Sequence, residues 1–188
     1  MPNRWEMPPV YLQSGDPEKE NTPTLYAPGL LGARFTVVQP NRGTPGVEDF
    51  RSKRYQIIKT DSTMAVAPFK GAVAWWSDQS QYMVTTTSPT TAQTRNRVAG
   101  VFQNAIDKGN FGCVQIGGPA TTKLIDAATN TDVIAGAFII PSATNGKADV
   151  VAAATAPTVQ SIGQVSQPLT FNVAAREVVV DLAIPETT

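Results

Sequence analysis

The sequence contains no histidine and only one cysteine, and charged residues make up just 16% of its 188 positions. The missing histidine removes the commonest general base, the commonest metal ligand and every catalytic triad built on imidazole. A lone Cys113 leaves no intrachain disulfide and no cysteine-cluster zinc site. Its strand-like surroundings predict a small buried residue rather than a reactive thiol. Fifteen Lys and Arg balance fifteen Asp and Glu, so no broad attraction to nucleic acid or to an anionic membrane is expected. No stretch approaches the ~20 apolar residues that cross a bilayer as a helix. Met1 to Tyr11 is polar and broken by proline, without the apolar centre of a secretion signal, so synthesis and assembly in a cytoplasm are expected.

What fills the chain instead is 41% hydrophobic residues, enough for a core, with Thr, Ala, Val, Gly and Pro in place of charge. Such a surface suits a protein that works assembled. The first 45 residues hold eight of the fifteen prolines, a density that forbids helix and limits any strand to a few residues. The same segment carries Trp5, Tyr11, Leu12, Tyr26, Leu30, Leu31 and Phe35. A solvated linker seldom holds so many large apolar groups, each worth ~1.5–3 kcal/mol when fully buried. The segment is expected to lie extended on something: its own domain, a sister subunit or a larger partner. Residues 1–50 are therefore read as an extended proline-rich arm and 51–188 as the folded domain.

Within that domain, short β-compatible runs follow one another, broken by Gly, Pro, Asn and Ser. They are Tyr55–Lys59, Gly71–Trp76, Gln81–Thr86, Arg97–Gln103, Phe111–Ile116, Ala120–Ile125, Val133–Ile140, Ala148–Ala153, Thr158–Val165, Leu169–Val173 and Val178–Ala183. The pattern predicts an all-β fold, a β-barrel or a jelly-roll-like β-sandwich. Gly71–Trp76 and Gln81–Thr86 form a hairpin on this reading. So do Arg97–Gln103 and Phe111–Ile116, with Gly109 as the turn glycine. The Gly112–Gly117 spacing only mimics a phosphate loop. Gly118 and Pro119 stand where Lys and Ser or Thr would be needed, and the proline removes a backbone donor.

Other chemistry-bearing groups are weighed against plainer roles. Asp16, Glu18 and Glu20 lack the central glycine and distant glutamate of a calcium loop, and read as solvated charge. Glu48 with Asp49, and Asp126 with Asp132, read as loop and turn residues. Arg95 and Arg97, and Arg51, Lys53 and Arg54, suit salt bridges to neighbouring subunits better than nucleic acid. Trp75 and Trp76 are adjacent, so on a strand one faces in and the other out. An outward Trp could be covered by the arm or a neighbour. Alternatively it could stack on a sugar beside Asp78 and Gln81, as in a carbohydrate-binding or host-attachment module. No catalytic, cofactor or metal site is assigned.

Four stretches carry a family likeness: RVAGVFQNAIDKGNFGCVQIGGPATTKLID, AGAFIIPSATNGKADV, IGQVSQP with EVVVDLAIP, and upstream YQIIKTDSTMAVAPFKGAVAWWSDQSQYMVTT. Together they resemble the head decoration or cement proteins of tailed bacteriophages, in which a Gly-Val strand, a turn and a G-x-V-Q-I-x-G strand recur, with a later Ile-Gly strand. The likeness spans about residues 50 to 185 and leaves the proline-rich leader unmatched. It implies a non-enzymatic β-domain on the outside of an icosahedral phage head, often a homotrimer. Such a domain would clamp neighbouring copies of the major capsid protein, after assembly in the bacterial host's cytoplasm. The expected interface anchors are Trp5, Tyr11, Tyr26, Leu30, Leu31 and Phe35, with Trp76 added from the folded domain.

Overall fold

A computed structural model describes residues 16–23, 29–39, 51–91, 97–125, 133–151, 155–157, 159–167 and 177–184. Trp5, Tyr11, Tyr26, Glu48, Asp49, Arg95, Asp126, Asp132 and the expected strand Leu169–Val173 lie outside them. Among the described residues the fold is all-β. Ten strands form one continuous sheet, five of which close into a barrel.

The barrel is built from β2 (Arg51–Thr60), β3 (Val73–Asp78), β4 (Met83–Thr85), β5 (Val98–Val101) and β6 (Phe111–Lys123). The hairpin β3–β4 pairs Trp76 with Val84, and β4 then runs parallel to the end of β2. β3 pairs with β5, β5 touches β6 at Val101 and Gln115, and β6 returns antiparallel to β2, closing the ring. Gly109 has φ +83° in the β5–β6 connection, as turn chemistry requires. Outside the ring, β1 (Arg34–Gln39) extends β2 on one flank. On the other flank β10 (Glu177–Ala183), β9 (Gly163–Gln167), β7 (Phe138–Pro141) and β8 (Ala148–Val151) form a wing attached to the far half of β6.

β6 belongs to both halves, and the Gly-Gly-Pro that ends the phosphate-loop lookalike is where it passes between them. Two strands were expected around Pro119; instead one strand of 13 residues runs straight through it. Gly117 is the last residue of β6 on β2, facing Arg54, while Gly118, Pro119 and Ala120 face Leu182, Asp181 and Val180 of β10. Gly118 has φ +79°, and a Cβ there would collide with the Ser52 carbonyl oxygen. Only glycine lets the two chains approach this closely. Gln115, fully buried, braces the corner: its Nε2 lies 3.0, 3.3 and 2.9 Å from the carbonyl oxygens of Gly117, Gly118 and Pro119.

Strand alternation sorts the apolar residues into three clusters. Ile58, Ala74, Trp76, Val84, Val114 and Ile116 point into the barrel. Val73 and Trp75 point out toward the wing, where Ile139, Ile162, Val180 and Leu182 cover them. Tyr55, Ile57 and Cys113 point out on the opposite flank, toward the leader. The wing strands are shorter than expected: Ile134–Ala137 is a turn, with Ala137 N–H donating to Ile134 O at 3.2 Å, and β7 begins at Phe138. The leader differs more. Residues 34–39, read as part of an arm, are a strand of the sheet, because Phe35, Thr36, Val37 and Val38 are strong β-formers beside a bare edge of β2.

Candidate interaction surface

The described parts of the leader are tied to the barrel by specific contacts. Leu30 to Ala33 make a tight turn, with Ala33 N–H donating to Leu30 O at 2.8 Å and Gly32 N–H to Ile57 O at 2.9 Å. Gly32 has φ +85°, and the Tyr82 ring lies against it where a Cβ would be. The turn sets Leu30, Leu31, Ala33, Phe35 and Val37 onto Tyr55, Ile57 and Cys113. Phe35 stacks on Tyr55 with ring centroids 5.7 Å apart. Burial is unequal across this contact: Tyr55, Ile57 and Cys113 are at most 2% exposed, whereas all five leader residues are only partly covered.

Upstream, Glu18 acts as a bolt. Its carboxylate accepts from Lys53 Nζ at 2.6 Å and from the Tyr55 hydroxyl at 2.7 Å. Thr22 bridges to Phe111 at the start of β6, exchanging backbone hydrogen bonds of 3.0 and 2.7 Å. The Asn21 side chain donates to Asp107 Oδ2 at 3.2 Å and accepts from Asn110 Nδ2 at 2.8 Å, clasping the β5–β6 turn. This corrects the solvated reading for Glu18 and Glu20, whereas the Asp16 side chain stays 39% exposed. Glu20 is 5% exposed, Glu18 is ion-paired, and Asp16 accepts from Glu18 N–H at 2.9 Å and faces Lys19 at 3.4 Å. Lys53, assigned to a neighbouring subunit, is engaged by its own chain. Sequence spacing could not reveal this, since 35 residues separate the partners.

The covered groups carry the electrostatic mark of burial. Desolvation, then the hydrogen bond to Glu18, pushes the Tyr55 hydroxyl far above its ordinary pKa of 10.0. Burial, with the Glu20 charge nearby, pushes the Cys113 thiol up from its ordinary 9.0. Cys113 is thus the inert, covered residue that its strand position suggested.

The expected anchors fall in different places. Leu30, Leu31 and Phe35 come together on one flank, whereas Trp76 stands inside the barrel, 8% exposed, with its ring edge-on to Tyr82 at 6.3 Å. Trp75 is fully buried under the wing. The exposed sliver of Trp76 opens into a cavity of about 550 Å³, lined also by Asp61, Met64, Pro89 and Arg97. Asp78 and Gln81, the suggested sugar partners, are not on its wall. Asp78 Oδ1 instead organises a turn, accepting from Ser80 N–H at 2.9 Å and Ser80 Oγ at 2.7 Å; these bonds hold its carboxyl below the ordinary range. Glu18, Asn21, Lys53 and Tyr55 were missed as contact residues. Among the described residues no cluster of three or more Cys, Asp or Glu is placed to hold a metal. No family model matches the chain, and no curated protein matches it.

Proposed function

We propose that this chain is a structural virion protein that binds the outside of an icosahedral phage head and cements neighbouring major capsid subunits, working as a homo-oligomer, with a trimer favoured. The observation that carries the reading is the half-covered apolar strip. Leu30, Leu31, Phe35 and Val37 seal the barrel with one side and keep apolar surface outward with the other. A strip of this kind on an already folded domain suits a protein partner. The family likeness over residues 50–185 supplies the kind of partner. The physical work is avidity: modest contacts per subunit, repeated by oligomer symmetry, add to a firm attachment.

The bolt at Glu18 shapes the test. Deleting residues 1–45 would remove β1 and the Glu18 contact along with Trp5 and Tyr11, so the informative truncation stops at residue 15. This variant should keep the thermal midpoint of the full chain and its oligomer size. It should be lost from phage heads on sedimentation while the full chain stays bound. Equal retention of the two proteins on heads removes Trp5 and Tyr11 as anchors and leaves the strip at Leu30, Leu31 and Phe35, and failure of the full chain to bind heads removes the reading itself.

A further inference from the structure

The cavity beside Trp76 takes no part in the capsid reading, yet its walls are firmly held. They come from two stretches, 61–64 and 85–90, with Arg97 added from just before β5. Asp61 N–H donates to Val84 O at 2.8 Å, and Ala65 N–H to Thr87 Oγ1 at 3.0 Å, which stitches the two stretches together. Thr86, fully buried, donates its hydroxyl to Val66 O. Ser88 is tied to the wing: its N–H donates to Asn145 Oδ1 at 2.9 Å and its hydroxyl to Ser142 O at 2.7 Å. The Arg97 carbonyl accepts from Trp76 N–H at 3.1 Å. Walls fixed in advance lose little freedom on binding, which favours a ligand. The volume of about 550 Å³ lies within the ~300–1,000 Å³ common for ligand pockets.

The lining selects the ligand's chemistry. Trp76, Met64 and Pro89 supply apolar surface. Asp61 and Arg97 are the charged residues among the described lining, one of each sign. Thr63 donates to Asp61 Oδ1 from its N–H at 2.8 Å and its hydroxyl at 2.7 Å, which holds the carboxyl below the ordinary range. Asp61 therefore stays ionised and acts as an acceptor. Arg97 is exposed, forms no ion pair among the described residues, and offers donors alone. Thr85 Oγ1 accepts from Thr87 N–H at 3.0 Å, and Thr87 Oγ1 accepts from Ala65 N–H, so each hydroxyl keeps its proton to donate. An ion of either sign would meet a like charge here. A neutral ligand rich in hydroxyls can use every one of these groups, since each hydroxyl both donates and accepts.

We propose that this cavity binds a neutral sugar, with Trp76 and Met64 against the apolar side of the ring, Asp61 accepting from its hydroxyls, and Arg97, Thr85 and Thr87 donating to them. The residues differ from the Asp78 and Gln81 pair that the sequence suggested. Only 8% of Trp76 is exposed, so the indole offers a limited contact and the polar groups fix the ligand's orientation.

The test titrates the full chain, labelled at its methionine methyls and indole nitrogens for NMR, with the methyl glycosides of glucose, galactose and mannose and with a trisaccharide of each. At least one should bind with a Kd of about 1 mM or tighter. It should move the Met64 methyl and the Trp76 indole signal and leave the Trp75 indole, buried under the wing, in place. A trisaccharide that binds more tightly than its methyl glycoside supports the site as one for a glycan, and equal binding supports it as one for a free sugar. Glucuronic acid and glucosamine, each carrying one charge, should bind about tenfold more weakly than glucose's best neutral counterpart, and Arg97→Leu should weaken binding about tenfold while keeping the thermal midpoint. Should that variant fold poorly, the signal pattern and the charged sugars decide on the unmodified chain. Silence at Met64 and Trp76 with every neutral sugar at about 10 mM overturns the proposal. So does tighter binding of either charged sugar, or unchanged binding by a folded Arg97→Leu chain. The capsid reading stands or falls separately: sugar binding without retention on phage heads removes that reading alone, and retention on heads without sugar binding removes this site alone.

Discussion

The barrel's two outer flanks bury apolar residues by different means. On the wing flank, Trp75 and Val73 sit under Ile139, Ile162, Val180 and Leu182, and every one of them is at most 5% exposed. On the leader flank, three buried residues lie under five that are only partly covered, held by a polar bolt at Glu18 and a bridge at Thr22. The wing flank is finished as core. The leader flank is sealed enough to fold, yet keeps some apolar surface outward. A face whose covering layer is half-exposed opens more readily than one inside a close-packed core, because fewer contacts oppose the opening.

The comparison can be broken most directly by truncating one large ring on each flank. Trp75→Ala should lose about 3–5 kcal/mol, because it empties a fully packed site. Phe35→Ala should lose only about 1–2 kcal/mol, since that ring is only partly covered. Urea unfolding of both variants checks this, and equal losses would mean that the leader flank is as much core as the wing.

A second measurement sharpens the contrast with pH. Tyr55 and Cys113 both lie on the leader flank, and both have folded pKa values raised above their ordinary 10.0 and 9.0. Each group therefore contributes stability that is complete below its ordinary value and lost as pH rises toward the folded one. Stability should begin to fall above pH 9.0 and fall more steeply above 10.0, by up to about 1.4 kcal/mol per pH unit for each group. Cys113→Ser should delay the onset toward 10.0. An unchanged urea midpoint between pH 8 and 11 would mean that neither group is covered in solution (~1 unit resolution suffices).

The smallest effect concerns the bolt. Glu18→Gln keeps the shape but removes the charge that Lys53 meets, so global stability should shift by no more than about 1 kcal/mol. Local opening should show more. Cys113, the only thiol, lies beneath the leader and reports its detachment, so its labelling rate should rise several-fold, by roughly the factor that the lost pair contributed. A labelling rate unaffected by this change would show that the leader is held without the Glu18–Lys53 pair.

Much of the architecture was legible along the chain, and particular residues show why. Trp76 facing Val84 follows from two alternating runs around a short turn. Gly109 at a positive φ follows from turn chemistry, and the buried Cys113 from its place in a strand. These are local rules, each settled by a few neighbouring residues. The candidate surface was legible only in part. Leu30, Leu31 and Phe35 stood out as apolar groups in a proline-rich leader, and they do gather on one flank. That Glu18 is a bolt rather than loose charge was not legible, since its partners Lys53 and Tyr55 are remote in sequence. Nor was Trp76's place inside the barrel: alternation separates two neighbouring indoles but does not say which side is the lumen.

By itself, then, the sequence determined what each segment could be: histidine-free, poor in charge, made of short strands, with a leader rich in proline and large apolar groups. Those properties follow from side-chain chemistry and backbone preference over a few residues. The tertiary structure alone decided barrel over sandwich, the passage of β6 through Gly117, Gly118 and Pro119 from ring to wing, and the placing of Arg34–Gln39 as a strand paired with β2. Each of these depends on which distant strands meet. Pairing partners are chosen by the closure of the whole sheet, a sum over contacts that no local window contains.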